Sequence, residues 1–330
     1  KTVESVKYFE DALKEKAIEF KDLPRLGRTC MQDAVPMTFG QVFAAWQSLV
    51  QRNRKRLEKL LPEYQETILG ATVLGSGMGE MPGYNEAVYK HLSDIVGFEM
   101  RQAKNMDEVI EDSALFDGSQ NNDSFIYLLG VLKCIACAGG RIGNDLYIFS
   151  SGPRTGIGEF ILPSIAPGSS IMPGKINPIL PELVSQVAQQ TCGNDVVISM
   201  AFEQGELEIS VWAPTLYKNL FESFDLLTKV IPLFIDKCIN GITANRDRCA
   251  KEAKETIALS TVVAATLGYP EGVKVAKYAQ EHNLAVADAV LEMGIMTKEE
   301  ADMLLDPALL VNPEKMAEVI ARWKGEKQKQ

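Results

Sequence analysis

Long stretches of helical periodicity constrain the fold of this 330-residue chain more than any other feature. Apolar residues recur at three- and four-residue spacing through residues 39–69 and again through residues 124–150. An average helix has roughly 11–12 residues, so both segments are far longer than a typical globular helix. Pro62 is expected to kink or divide the first segment, because proline removes a helical hydrogen bond.

Further helices are predicted for residues 180–200 and 215–239, and hardly any segment alternates as a strand would. The intervening segment 26–41 contains two glycines and a proline, and we expect it to be a turn that enters the next helix. The sequence therefore predicts an all-α fold. We expect a long antiparallel helical bundle whose wide apolar faces make it oligomerise, followed by a small C-terminal helical domain.

The pattern changes after residue 240, where shorter helical segments are separated by glycine- and proline-bearing turns. We therefore expect a central bundle domain over residues 1–240 and a small helical domain over residues 241–330. Thr297 and Glu300 have the spacing of a helix capping box. The chain opens without Met inside an amphipathic pattern, so an N-terminal region is expected to be missing.

Charge and cysteine content narrow the class of protein. A net charge of -10 argues against a nucleic-acid partner, since phosphate binding needs a surplus of Lys and Arg on one face. Six dispersed cysteines suit a reducing compartment. We see no secretory signal and expect no stretch of about twenty apolar residues that spans a bilayer. A soluble cytoplasmic protein without a membrane partner is the resulting expectation.

One loop concentrates glycine, proline and polar residues: PGSSIMPGKINPILPE, from Pro167 to Glu182. As an ordinary interhelical loop it explains the prolines and glycines, and Asn177 with Pro178 suits a helix start. That interpretation leaves a pair of serines and a single lysine without a purpose. A glycine-hinged loop can also close over a ligand and bring hydroxyl, ammonium and amide groups together. From spacing alone both interpretations stay open.

The segment GSSIMPGKINP, Gly168 to Pro178, resembles the most diagnostic motif of the aspartase/fumarase superfamily. These homotetrameric lyases eliminate ammonia, water or an amine to release fumarate. Three further segments resemble other parts of the family: the threonine-bearing loop, the second glycine-rich region and the lead-in to a catalytic loop at about 164–178. They are LGRTCMQDAVPMTFGQ, ILGATVLGSGMG and SSGPRTGIGEFILP. The resemblance covers most of the chain.

The resemblance implies a role for each matching loop residue. Ser169 matches the general base, which removes the proton at the carbon next to a carboxylate. Ser170 matches a group that holds that carboxylate, while Lys175 and Asn177 match binders of the other carboxylate. Proton removal creates an aci-carboxylate dianion, and hydroxyl, amide and ammonium donors can stabilise it as it forms. Loop amides and positive charge would keep Ser169 as an oxyanion. This chemistry requires no cofactor, and no metal-ligand spacing is present near the motif.

Three positions separate members of the family. Thr29 matches a carboxylate contact, and fumarases carry a histidine directly after it, paired through a water with the glutamate that Glu182 matches. This sequence has Cys30 in place of that histidine, so the relay expected for hydration is absent. The resemblance is closest to the aspartases, in which this position faces the leaving amino group. Cys30 as a small apolar filler is the alternative to direct contact.

The resemblance thus implies a carbon-nitrogen lyase that eliminates ammonia from L-aspartate, a small amino-acid substrate that gives the dicarboxylate fumarate. Active sites would be shared between subunits of a homotetramer. Gly79 and Ser210 stand where the family usually has asparagine, which leaves room for a relative that acts on another amino acid or on an N-substituted aspartate. Fumarase activity is a weaker alternative. A catalytically silent structural homologue is the alternative of a different class.

Overall fold

A computed structural model describes residues 1–104, 110 and 113–327. The chain is mostly helical and its long helices pack side by side, which confirms the all-α class. The α-helices, in chain order, are α1 (Thr2–Glu19), α2 (Phe39–Leu60), α3 (Tyr84–Val96), α4 (Ser113–Gln120), α5 (Asp123–Phe149), α6 (Ile179–Glu203), α7 (Ala213–Lys237), α8 (Arg246–Glu255), α9 (Ser260–Leu267), α10 (Tyr269–His282), α11 (Val286–Glu292), α12 (Lys298–Leu304), α13 (Pro307–Leu310) and α14 (Pro313–Lys327).

Short strands connect some of these helices: β1 (Pro24–Thr29), β2 (Gln32–Thr38), β3 (Glu66–Thr67), β4 (Arg101–Gln102), β5 (Phe160–Ile161) and β6 (Thr243–Ala244). They form two-stranded pairs, β1 with β2 and β5 with β6 antiparallel, and β3 with β4 parallel. Pro62 lies in a 3₁₀ turn, Leu61–Gln65, that follows α2. The expectation that Pro62 interrupts the first long segment is therefore confirmed.

The expectation of a simple turn at residues 26–41 was wrong, because β1 and β2 form a hairpin there. The pairing changes register between Leu26 and Arg28, which marks a β-bulge. A Cβ on Gly27 would lie 2.5 Å from the carbonyl oxygen of Val35, so only glycine lets the strands approach this closely. Glycine and proline in such short strands conceal the alternation by which a strand is recognised.

Contacts divide the chain into two compact units. The first unit comprises Lys1–Asp11, Gln47–Tyr147 and Ser164–Cys238, and the second comprises Ala12–Trp46, Ile148–Pro163 and Ile239–Gln330. The domain boundaries expected from the sequence, with a division near residue 240, stay a prediction.

In the first unit, α6 packs between α5 and α7. Gly140 on α5 lies against α6, since a Cβ there would be 2.9 Å from the Cβ of Ala188. On the other side, the side-chain amide of Asn194 on α6 donates to Ser223 Oγ of α7 at 3.0 Å. Successive long helices run antiparallel, whereas α1 and α7 run in the same direction, with Phe9 and Phe234 in ring contact at 5.9 Å.

Helix α5 corrects the expectation that no segment is long and apolar enough to span a bilayer. By length and composition alone it passes as a candidate membrane span, the one such helix among the described residues. Half of its most apolar window is buried inside the protein, along the row from Leu128 to Leu146. A core helix of a bundle meets the same length and composition test, so this is weak support for a membrane location.

The second unit has its own apolar core, which α9 to α12 and α14 build around Val263, Val275 and Val290. The capping box expected at the start of α12 is present: Glu300 N donates to Thr297 Oγ1 at 3.2 Å and Thr297 N donates to Glu300 Oε2 at 2.9 Å. A separate aromatic cluster in this unit surrounds Phe160, whose ring centroid lies 4.0 Å from that of Phe39.

Candidate active site

The glycine- and proline-rich loop lies in the first unit, where residues 164–178 lead into α6. Helix α6 begins at Ile179, directly after Pro178, whose ring cannot donate a backbone hydrogen bond. The sequence thus starts the helix where the motif ends. Four of the predicted site residues, Ser169, Ser170, Lys175 and Asn177, are held in this one loop.

Ser169 is half-buried, and its hydroxyl oxygen receives two backbone hydrogen bonds from its own loop. The amide of Ile171 donates to Oγ at 3.1 Å, and the amide of Met172 donates to it at 3.0 Å. Two convergent N–H donors stabilise negative charge on an oxygen more than they stabilise a neutral hydroxyl. This loop therefore favours the deprotonated form of Ser169.

The ends of the loop are tied together beside Ser169. Gly168 N donates to the carbonyl oxygen of Lys175 at 2.9 Å, and Asn177 Nδ2 donates to the carbonyl oxygen of Gly168 at 3.0 Å. A Cβ on Gly168 would lie 2.6 Å from that Lys175 oxygen, so a larger residue would push the two backbones apart. In this conformation the Asn177 amide supports the loop.

The loop encloses an open hollow of about 490 Å³. Ser169 and Lys175 line it together with the apolar side chains of Ile165, Met172 and Ile176. Lys175 is exposed and makes no ion pair with any residue in the described part of the chain. A single ammonium group in an otherwise uncharged hollow is suited to an anionic ligand of small size.

Glu182 lies in the first turn of α6 and is half-buried. It borders a second hollow of about 270 Å³, whose polar lining includes Asn144 of α5 and Ser185 and Gln186 of α6. Carboxylate, amide and hydroxyl groups can all hydrogen-bond a water or an amine in such a hollow.

Thr29 and Cys30 lie in the second unit, at the tip of the β1–β2 hairpin. Thr29 pairs with Gln32 across a two-residue turn, in which Cys30 and Met31 have φ angles of 51° and 60°. Left-handed values at both central positions define a type I′ turn, which usually takes Asn or Gly. Thr29 and Cys30 are exposed on this strained turn. Backbone strain in a non-glycine residue is frequent at functional sites.

Sequence reasoning missed the charged residue that anchors this hairpin. Glu159 is fully buried and forms ion pairs with Arg25 at 3.2 Å and with Arg28 at 3.0 Å. Burial lowers the pKa of the Arg25 guanidinium, although the neighbouring carboxylate opposes that change. The partners are more than a hundred residues apart in sequence, so no local pattern reveals the pairing. The signal that was available is a lone acid in the glycine-rich lead-in and two arginines before Thr29.

Among the described residues, no group of three or more His, Cys, Asp or Glu side chains is arranged to hold a metal ion. The donors of the loop are hydroxyl, amide and ammonium groups. What these groups can do chemically is to stabilise anions and to move a proton at Ser169.

Comparison with known families gives two matches. Residues 1–193 match the family described as Lyase, and residues 259–317 match the family described as Fumarase C C-terminus. The first match covers more than half of the chain.

Individual relatives agree with the family matches. An aspartate ammonia-lyase of Escherichia coli (strain K12) is 36% identical over 313 residues, which are 95% of this chain and 64% of that protein. A recombinant class II fumarase of Schistosoma mansoni superposes with a TM-score of 0.86 at 30% identity, over 95% of this chain and 67% of that one.

A protein of Brucella melitensis described as fumarate lyase:delta crystallin also gives a TM-score of 0.86, at 34% identity over 94% of this chain and 65% of that one. The chain spans 64% of the length of the aspartate ammonia-lyases that it matches.

Proposed function

The chain belongs to the aspartase/fumarase superfamily of lyases, and from that premise we propose that it catalyses the reversible elimination of ammonia from L-aspartate to give fumarate. The observation that carries this proposal is the pair of amide donors on Ser169 Oγ, at 3.1 and 3.0 Å. A serine hydroxyl is a poor base in water, and amide donors are the groups that make its oxyanion accessible. The curated relatives whose sequences match over most of the chain are aspartate ammonia-lyases.

The proposed step begins with the Ser169 oxyanion, which takes a proton from the substrate carbon next to one carboxylate. The electron pair left on that carbon moves into the carboxylate and forms the aci-carboxylate dianion. When the intermediate collapses, that pair forms the carbon-carbon double bond, the carbon-nitrogen bond breaks, and nitrogen leaves with its bonding pair as ammonia. Ser169 holds the proton at the end and returns it to water.

Lys175 and the loop hydroxyls supply the electrostatic part of this step. The exposed ammonium of Lys175 lies in the same hollow as Ser169, where it would bind the substrate carboxylate that does not react. Ser170 is exposed beside Ser169 and would hydrogen-bond the carboxylate on which charge develops. Asn177 would bind substrate only by giving up its hydrogen bond to Gly168. Donors fixed before reaction stabilise developing charge at little reorganisation cost.

Cys30 supports loss of ammonia over loss of water. A thiol is a weak hydrogen-bonding group and does not act as the proton relay that a histidine supplies in hydration. Thr29, beside it, would contact a substrate carboxylate, and Glu182 would bind the leaving group or a water. A second candidate is fumarase activity, favoured by the similarity to the class II fumarase structure. Lyase activity on an N-substituted aspartate is the remaining alternative.

The assembly and location are part of the proposal. We infer a homotetramer with shared active sites, since large side chains such as Phe221 on α7 and Tyr127 on α5 are 65% and 61% exposed in the single chain. All six cysteines are free, which fits a reducing compartment such as the cytoplasm.

The test is a substrate panel with the full-length protein. L-Aspartate, L-malate and N-substituted aspartates are each incubated with the enzyme, and fumarate is followed by its ultraviolet absorbance and ammonia by a coupled assay. We expect fumarate and ammonia in equal amounts from L-aspartate and the highest kcat/KM for that substrate. Turnover of malate alone would replace the proposal with the fumarase alternative.

A further inference from the structure

Glu159 is a carboxylate held entirely away from solvent by two arginines of one strand. Its Oε2 accepts from Arg25 Nη2 at 3.2 Å and its Oε1 accepts from Arg28 Nη1 at 3.0 Å. Its side chain has no exposed surface. A buried carboxylate is tolerated only when charged donors satisfy it, so the two arginines and Glu159 must move together or not at all.

Both arginines belong to β1, the strand that ends at Thr29. Arg28 directly precedes Thr29, so the ion pair fixes the backbone next to the residue that would contact substrate. Arg25 is further restrained because its guanidinium carbon lies 4.6 Å from the ring centroid of Phe149 and 4.9 Å from that of Phe39.

The contacts continue beyond Arg28 into a network of alternating charges. Arg28 Nη2 donates to Glu252 Oε2 at 2.7 Å, and Arg248 Nε donates to Glu252 Oε1 at 2.9 Å. Arg248 Nη1 then donates to the carbonyl oxygen of Pro153 at 2.8 Å. We call this set of residues, Arg25, Arg28, Glu159, Arg248 and Glu252, the Glu159 network.

The backbone of Glu159 is fixed independently of its side chain. Its carbonyl oxygen accepts from Asn245 N at 2.8 Å, and the next residues form β5, which pairs with β6. The hairpin tip, in contrast, is a two-residue turn of exposed side chains. Glu159 is therefore the rigid end of the contact, and the β1 strand with its tip is the part whose position depends on it.

We propose that Glu159 is a positioning residue, which holds β1 through Arg25 and Arg28 and thereby keeps Thr29 in the orientation that contacts a substrate carboxylate. The inference rests on the ammonia-lyase activity proposed above for the identity of that substrate. It goes beyond that activity because Glu159 itself is shut off from substrate, at 0% exposure.

The test compares two buried carboxylates in the full-length enzyme. In Glu159→Gln the side chain keeps its shape and loses the charge that holds Arg25 and Arg28. The matched control is Glu10→Gln, because Glu10 is also buried and accepts from Arg54 at 2.6 Å, but it belongs to the first unit and makes no bond to the hairpin. Both variants should lower Tm, which accounts for a purely structural effect.

The kinetic constants separate positioning from stability. We expect KM for L-aspartate to rise about tenfold in Glu159→Gln while kcat falls less than about threefold, since a carboxylate contact made in both ground and transition states acts on binding. Glu10→Gln should leave KM unchanged. An equal KM in the two variants would overturn the proposal.

A double substitution tests whether the effect passes through Thr29. If it does, adding Glu159→Gln to Thr29→Ala should raise KM by less than about twofold beyond Thr29→Ala alone, because coupled residues are not additive. The full tenfold increase in the Thr29→Ala background would show independent action and overturn the proposal.

Hydrogen exchange keeps this inference separable from the proposed activity. If the wild-type enzyme releases no fumarate from any substrate of the panel, the ammonia-lyase proposal fails and the kinetic arm has no readout. Amide exchange of residues 26–32 still reports the hairpin: we expect it to be faster in Glu159→Gln than in Glu10→Gln or wild type. Equal exchange in all three proteins would contradict a role of Glu159 in holding the hairpin.

Discussion

The side-chain amide of Asn177 donates to the carbonyl oxygen of Gly168 at 3.0 Å, and this bond closes the loop that carries Ser169 and Lys175. The same loop is closed a second time by the bond from Gly168 N to the Lys175 carbonyl oxygen. Asn177 therefore has two states to choose between, one that supports the loop and one that binds substrate. A residue with both roles makes loop opening and ligand binding interdependent.

Asn177→Asp should separate these roles. A carboxylate cannot donate to the Gly168 carbonyl oxygen, and it also repels an anionic substrate. We expect kcat/KM for L-aspartate to fall by at least about a hundredfold, the scale of one lost electrostatic donor, and the amides of residues 168–175 to exchange faster with solvent. Asn121→Asp is the control, since Asn121 bonds Asp117 near the end of α4 and is exposed. Unchanged loop exchange in Asn177→Asp would refute the closing role.

Cysteine labelling should report whether Cys30 faces the ligand. Burial raises the pKa of the Cys238 and Cys249 thiols to about 12, so these two should resist iodoacetamide at pH 8. Cys30 and Cys134 are exposed and should react. If Cys30 contacts the leaving group, saturating fumarate should slow its alkylation at least about fivefold and leave Cys134 unaffected. Mass spectrometry of the labelled peptides distinguishes this outcome from equal labelling of Cys30 with and without fumarate, which would remove Cys30 from the site.

Gly27→Ala should destabilise the hairpin. Its Cβ would lie 2.5 Å from the carbonyl oxygen of Val35, so the strands must separate. We expect the free energy of unfolding to fall by about 1–3 kcal/mol. Gly325→Ala is the matched control, because nothing lies within 4 Å of a Cβ there and alanine favours the helix by about 0.5–1 kcal/mol. Denaturant titration of both variants gives the comparison, and an equal or higher stability of Gly27→Ala would contradict the close approach.

Glu300 should make the stability of the second unit depend on pH. Its hydrogen bond from Lys327, with further bonds from Thr297 N and Trp323, lowers the pKa of its carboxyl group from 4.5 to about 2. A depressed carboxyl pKa stabilises the folded state above the unfolded pKa, and this stabilisation is lost as pH falls from about 4.5 towards 2.

Glu300→Gln keeps the capping geometry and removes the charge. It should therefore lower Tm at pH 7 and have little effect near pH 2, as measured by calorimetry. Glu299→Gln is the control for charge alone, since Glu299 lies beside it without a bond to Lys327. A Tm difference between Glu300→Gln and wild type that does not shrink on acidification would show that the ion pair is not the cause.

The sequence predicted the long helices because a bundle helix repeats its apolar face over many turns, as α5 does from Leu128 to Leu146. The same periodicity placed the division at Pro62 and the capping box at Thr297. It did not predict the hairpin, since Gly27 and Pro36 interrupt strands that are only six and seven residues long. In such strands the contacts made by tertiary packing decide the structure.

The candidate site divides in the same way. The loop motif identified Ser169 and Lys175, and the chemistry of the reaction required donors around the Ser169 oxygen. Which donors they are, the amides of Ile171 and Met172, depends on backbone geometry and was visible only in the fold. Glu159 was missed because ion pairs between distant segments leave no periodic trace in the sequence.

The role of Ser169 as the base is tested most directly by fumarate formation from L-aspartate in Ser169→Ala, measured in the full-length tetramer by ultraviolet absorbance. The neighbouring Ser164→Ala serves as the control, since Ser164 lines the same hollow and makes no equivalent pair of bonds. Ser169→Ala should reduce kcat by at least about a thousandfold, on the scale of a lost general base, while the oligomeric state and Tm stay those of wild type. Turnover in Ser169→Ala within tenfold of the wild-type rate would contradict the assignment of Ser169 as the base.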